Sequence, residues 1–145
     1  MNKNEDIYKV KESGWNASFI VHVSKTRKAM VKATLYFYKQ MKWDPKIYNI
    51  DNDETYGRVI PIEGIPQQND FAHMFLNEQD LDIGVLTHEC LHVALAHERL
   101  IFRFGMCYGN EITDDEERLC YYHTHAVRAV YDLLIANNHW KLHNG

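Results

Sequence analysis

The chain has 145 residues, 46 % of them hydrophobic and 25 % charged, with a formal net charge of −4. That length and balance fit a single folded domain over residues 1–145 and exclude a disordered or collagen-like chain. The acidic balance removes bulk attraction to nucleic acid and anionic lipid, and no apolar run approaches membrane-spanning length, so neither is expected as a partner. Three unevenly spaced cysteines, Cys90, Cys107 and Cys120, make no disulfide framework, and the opening Met1–Asp6 has no apolar signal core. A reduced, cytoplasmic protein is expected.

Residues 1–14 are polar and read as a loose N-terminal segment. Ala17 to Val23 alternates and is β-branched, which predicts a strand with Phe19, Val21 and Val23 on one face. Ser24 can then cap a helix running to about Trp43. The apolar stripe of that helix is Met30, Ala33, Phe37 and Met41, with Lys25, Lys28, Lys32, Lys39 and Lys42 along the other side. In a net acidic protein this basic side reads as a solvated face.

From Asp44 to Asp70 the signals are turns and short strands. Lys46–Ile50 and Tyr56–Ile60 can pair as a hairpin, although Pro45, Pro61 and Pro66 restrict these segments to edge strands or loops. Phe71 to Leu76 reads as a further strand. Were its edge open, Phe71, His73 and Phe75 would lie where an extended substrate could add as a strand; an internal strand is the equal alternative.

The most informative stretch follows, from Val85 to Leu95. His88, Glu89 and His92 spell H-E-x-x-H within a run free of Gly and Pro from Val85 to Phe104. Two histidines four residues apart project from one helix face, a spacing that lets both imidazoles bind one ion. The glutamate between them is then placed to act on water beside that ion. Asp80 and Asp82, just upstream, can cap the helix and meet its dipole. Gly105 to Asn110 reads as a loop. A last helix runs from about Thr113 to Asn137, with Leu119, His123, Ala126, Val130 and Leu133 as its buried stripe. Residues 138–145 read as a frayed tail.

A catalytic zinc site needs a third protein ligand. A histidine six residues after His92 would supply it in one large class, but that place holds Glu98, and His97 lies off the metal-binding face. A glutamate from the following helix is the other solution, and Glu116 and Glu117 are the candidates. Periodicity places Glu116 slightly nearer the apolar stripe. Thr113-Asp-Asp-Glu116, however, is a capping box that occupies Glu116 at the helix start. Glu117 is therefore chosen, with Glu116 as the alternative.

His88-Glu-Cys-Leu-His92 followed by Asp115-Glu-Glu-Arg-Leu-Cys-Tyr121 resembles the small phage-type H-E-x-x-H proteins of the gluzincin metallopeptidase kind. The resemblance spans roughly residues 71–137, and it departs from the family pattern in having Cys120 where alanine is usual. It implies an α+β fold: a minimal zincin-like core, with a small mixed sheet, the H-E-x-x-H helix and a following glutamate-bearing helix. It also implies one Zn²⁺ held by His88, His92 and Glu117, with Glu89 as general base in hydrolysis of a peptide or protein substrate, in host cytoplasm if the chain is phage-encoded. Tyr121, Tyr122, His123 and His125 are the candidates to stabilise an oxyanion. The competing expectation is a metal-containing protein without hydrolytic activity, such as a phage-encoded inhibitor of a host factor. A fourth protein ligand, for example His123, would mark that case.

Overall fold

The computed structural model describes residues 4–11, 17–44, 55–62, 70–103 and 112–140, the side chains of 100–103 and 112–115 excepted. In chain order the elements are β1 (Glu5–Lys11), β2 (Ser18–Ser24), α1 (Arg27–Gln40), β3 (Arg58–Pro61), β4 (Asp70–Asn77), α2 (Ile83–Arg103) and α3 (Ile112–Ala136). The strands form one mixed sheet in the order β1-β2-β4-β3, with β2 and β4 parallel and the two outer pairings antiparallel. The fold is α+β.

Alternation along β2 sets the two layers. Phe19, Val21 and Val23 join Ala72, Met74 and Leu76 of β4 beneath α2 and α3. On the opposite face, Phe75 packs against Met30, Ala33, Phe37 and Tyr38 of α1. Both faces of the parallel pair are thus covered, as parallel strands require. A register shift pairs Ser18 with Asp70 but Phe19 with Ala72, so Phe71 is the extra residue of a β-bulge. The bulge turns Phe71 to the same side as Ala72, and its ring meets Phe19 at a centroid distance of 5.9 Å.

Several expectations change here. The segment expected to be loose contains β1, whose Tyr8 and Val10 reach the helix-covered face while Lys9 and Lys11 point outward. Charges between its apolar residues hid the strand. Thr26 caps α1 in place of Ser24, its side chain accepting from the Ala29 N–H at 3.1 Å. Ser24 stays inside β2. Thr34 and Tyr38 extend the buried stripe of α1 beyond the apolar residues named from periodicity. The expected strand at Lys46–Ile50 lies outside the described residues, as do the 105–110 loop and the side chain of Thr113. β3 lies at one edge of the sheet, consistent with Pro61 in it. Of the tail expected to fray, residues 138–140 are described and are tied down through His139, which is hydrogen-bonded to Glu78 at 2.7 Å and to the Tyr8 hydroxyl at 2.6 Å; 141–145 lie outside the described residues. Trp140 packs on Tyr131.

Two neutral histidines belong to the interior. His97 stacks flat on Tyr122 at 3.7 Å, and burial lowers its pKa to about 4. His73 is hydrogen-bonded to His22 at 2.8 Å, and burial, then the His22 ring, lowers it to about 4. In the unfolded chain each would titrate near 6.5. Between pH 6.5 and 4 the unfolded chain therefore binds more protons, and stability present above pH 6.5 is lost as pH falls. The urea midpoint should be clearly lower at pH 5 than at pH 7.5. His97→Phe should flatten that dependence, and an unchanged slope in this variant would remove His97 as its source.

Candidate metal centre

The site is assembled where β4 ends. Asp82 caps α2 by accepting from the Val85 N–H at 2.7 Å, so the first turns of the helix start against the end of the sheet. Asp80, the other expected cap, instead takes a two-pronged bond from Arg27, with both N–O distances 2.7 Å. The guanidinium holds the Asp80 carboxyl below its usual range. The same guanidinium lies over the Tyr56 ring, 4.6 Å from its centroid. Asn77, the fully buried last residue of β4, donates to the Tyr56 carbonyl at 3.1 Å and accepts from the Asp80 N–H at 2.9 Å. Together these contacts fix the chain entering β3 against α2.

His88 and His92 lie side by side on the exposed face of α2, and their Nε2 atoms are 3.3 Å apart. Two nitrogens bound at about 2.0–2.1 Å to one tetrahedral ion are separated by roughly 3.3 Å, so the pair is spaced as two ligands of one ion. Burial, then the neighbouring His88 and Arg99, lowers the His92 pKa, which favours the neutral imidazole that a metal requires.

Glu89 has a different environment. Only 6 % of the residue is exposed, and its Oε2 is buried without a hydrogen-bond partner among the described residues. Burial raises its pKa, partly opposed by His88 and Arg58. The backbone of Gly57 sits directly against it: a Cβ at that position would lie 3.0 Å from Glu89 Cγ. Thr55, Tyr56, Gly57, Gly84, Val85, His88 and Glu89 line an open cavity of about 340 Å³. Periodicity singles out none of Thr55, Tyr56 or Gly57. The lone glycine ahead of a strand was the available signal of close backbone approach.

α3 runs antiparallel to α2. Glu98 accepts two bonds from Arg118 at 2.8 and 3.0 Å, His97 stacks on Tyr122, and the His123 Nε2 lies 3.0 Å from the Thr87 carbonyl. His123 thus reaches the early turns of α2, where the histidine pair begins. Glu116 and Glu117 are exposed beside Arg118, toward the Glu98 end. Glu117 precedes His123 by six residues, about 9 Å of helix. Among the described residues, no third His, Cys, Asp or Glu joins His88 and His92 in a set that could hold an ion.

Of the other oxyanion candidates, Tyr122 is buried in the core, while Tyr121 and His125 are exposed. Cys90 is fully buried, and burial pushes its thiol up to about 12. β4 is the internal alternative, flanked by β2 and β3. Phe71 and Phe75 are therefore buried and His73 is bonded to His22, so none of them offers a free strand edge. The strand edge beside the histidine pair belongs to β3.

No described helix is long and apolar enough to cross a membrane. Comparison of the chain with protein-family models, curated proteins and solved structures finds no match.

The Glu89 geometry has a thermodynamic consequence. A carboxyl whose folded pKa is raised contributes fully only below its unfolded pKa, and stability is lost as pH rises through the folded value. At pH 7.5 the metal-free Glu89→Gln variant should melt above the parent, with the difference shrinking toward pH 4. A lower melting temperature at pH 7.5 would show instead that the carboxylate is held by favourable contacts.

Proposed function

We propose that the chain is a cytoplasmic zinc-dependent metallopeptidase of the gluzincin kind, built on a minimal zincin-like core. The observation that carries this reading is the 3.3 Å spacing of the His88 and His92 Nε2 atoms beside the buried carboxyl of Glu89, whose Oε2 has no hydrogen-bond partner among the described residues. His88 and His92 would hold the ion with a ligand from α3. Glu117 is that ligand in this proposal, with Glu116 as the alternative; α3 would have to bring the carboxylate to the histidine pair. When bound, zinc supplies Lewis acidity and makes water acidic enough to attack a carbonyl near neutral pH.

The rest of the chemistry falls to the protein. Glu89 takes a proton from the attacking water and returns it to the leaving amine; its raised pKa suits a group that must both accept and release that proton. Gly57 leaves the backbone bare at the cavity rim, where an extended peptide substrate can lie along the edge of β3. His123, already at the early turns of α2, is the strongest of the proposed oxyanion helpers.

The purified chain should bind one zinc per molecule, and His88→Ala or His92→Ala should weaken binding at least about 100-fold. Glu89→Gln should retain the metal and lower hydrolysis of a mixed peptide library by about 10²–10⁴-fold. Hydrolysis undiminished in Glu89→Gln would refute the assigned base. Zinc titration of Glu117→Ala, Glu116→Ala and His123→Ala identifies the α3 ligand. A zinc-loaded protein with four protein ligands and no turnover would establish the metal-containing binding protein instead.

A further inference from the structure

The outward face of α1 takes no part in the site described above. From Lys25 to Lys42 the chain carries Lys25, Arg27, Lys28, Lys32, Lys39 and Lys42 and no carboxylate, so the remainder holds −10 of the total of −4. At 3.6 residues per turn, Lys28, Lys32, Tyr36 and Lys39 fall within an arc of about 80°, and Lys25 lies just ahead of the helix. Met30, Ala33 and Phe37 occupy the opposite side and are buried against the sheet. The charges are therefore gathered into one ridge.

The ridge is electrostatically available. Among the described residues no carboxylate pairs with Lys28, Lys32, Lys39 or Lys42, and Lys25 meets Glu78 only loosely, at 3.4 Å with its own side chain 67 % exposed. In its middle stands Tyr36, 52 % exposed, whose hydroxyl accepts from Gln40 Nε2 at 2.8 Å. That bond ties the ring to the helix and leaves it facing solvent between two lysines.

We propose that this ridge docks single-stranded nucleic acid, with the lysines meeting phosphates and the Tyr36 ring stacking on an unpaired base. A row of cations one helical turn apart, interrupted by an aromatic platform, is the pairing that single strands use: backbone neutralisation together with base stacking. A duplex has no exposed base face to offer the ring. An anionic membrane would require an apolar row beside the cations, and the apolar side of α1 is already buried. The −10 on the rest of the chain repels a polyanion elsewhere and directs it to this face.

The test is fluorescence anisotropy of the full-length chain with a labelled oligothymidylate, the same length of RNA, a duplex, and phosphatidylserine vesicles in parallel. Single-strand affinity should fall with salt at a log–log slope of about −3, roughly −0.7 for each of four phosphates. Lys32→Glu and Lys39→Glu should each weaken binding about ten-fold or more and make the slope shallower. Tyr36→Ala should weaken it about ten-fold at unchanged slope, and Tyr36→Phe should retain it. Circular dichroism confirms that each variant is folded. No single-strand binding at 50 mM salt, equal binding of the duplex, capture by vesicles alone, or indifference to Lys32→Glu and Lys39→Glu would each overturn the proposal.

Discussion

The side chain of Asn77 holds the site in register. It is the last residue of the buried parallel pair, and burial removes its amide from solvent. Its donor goes to the Tyr56 carbonyl and its acceptor to the Asp80 N–H, so one residue ties the entry to β3 to the turn that launches α2. Buried polar groups are costly unless both ends are satisfied, which makes such a residue specify a geometry rather than merely tolerate it. Arg27 adds a second tie from the other layer, through Asp80 and the Tyr56 ring. Gly57 can press on Glu89 because these contacts fix the residue before it.

That pressure explains the contrast between neighbouring side chains. His88 and His92 face solvent along one helical row, while Glu89, one residue on, is turned against the Gly57 backbone just ahead of β3. A carboxylate in that position loses hydration and gains only partial compensation from His88 and Arg58. A fold selected for stability alone would place an amide or an apolar residue there. The penalty is spatially confined: Asp82 caps the helix, the core beneath Leu86 and Cys90 is closed, and Glu98–Arg118 ties the far end of α2 to α3. A buried carboxylate with so little compensation, beside a capped helix start and a closed core, is what the proposed role as base would require.

The parts legible in sequence were those governed by local periodicity. Alternation identifies β2, the 3.6-residue repeat identifies all three helices, and the unbroken run after Val85 carries α2 to Arg103. The failures have physical causes. β1 sets Ile7, Tyr8 and Val10 among four charged residues, so its pattern emerges only when β2 supplies a partner. Ser24 and Thr26 are both competent caps, and only the extent of the β2–β4 pairing decides between them. The bulge at Phe71 reverses the facing of that side chain relative to strict alternation. Within the site, the H-E-x-x-H row was local and therefore readable. Its surroundings were not: Tyr56, Gly57 and Asn77 meet Glu89 and Asp80 through pairing between segments, and the antiparallel setting of α3 decides what lies opposite the histidines. A capping-box argument can rank Glu116 and Glu117 against each other, but it cannot say how far along α2 either one falls.

Net charge is likewise a sum over the whole chain. A value of −4 summarises the chain, yet a ligand meets a surface, and screening at physiological salt limits its view to about 8 Å. α1 itself carries no carboxylate, and two acids of the turn after β4 are committed: Asp80 to Arg27, and Glu78 to His139 as well as Lys25. The sheet separates this basic layer from the layer that carries the histidine pair. Arg27 is the residue that belongs to both, beginning α1 and reaching the cavity rim through Tyr56. Its two-pronged bond to Asp80 and its stacking on Tyr56 use the planar guanidinium in two directions at once, which a lysine ammonium cannot do. The contact therefore works as a strut. It fixes how the basic ridge and the H-E-x-x-H cavity are placed relative to each other, so that a ligand held along one has a defined position relative to the other.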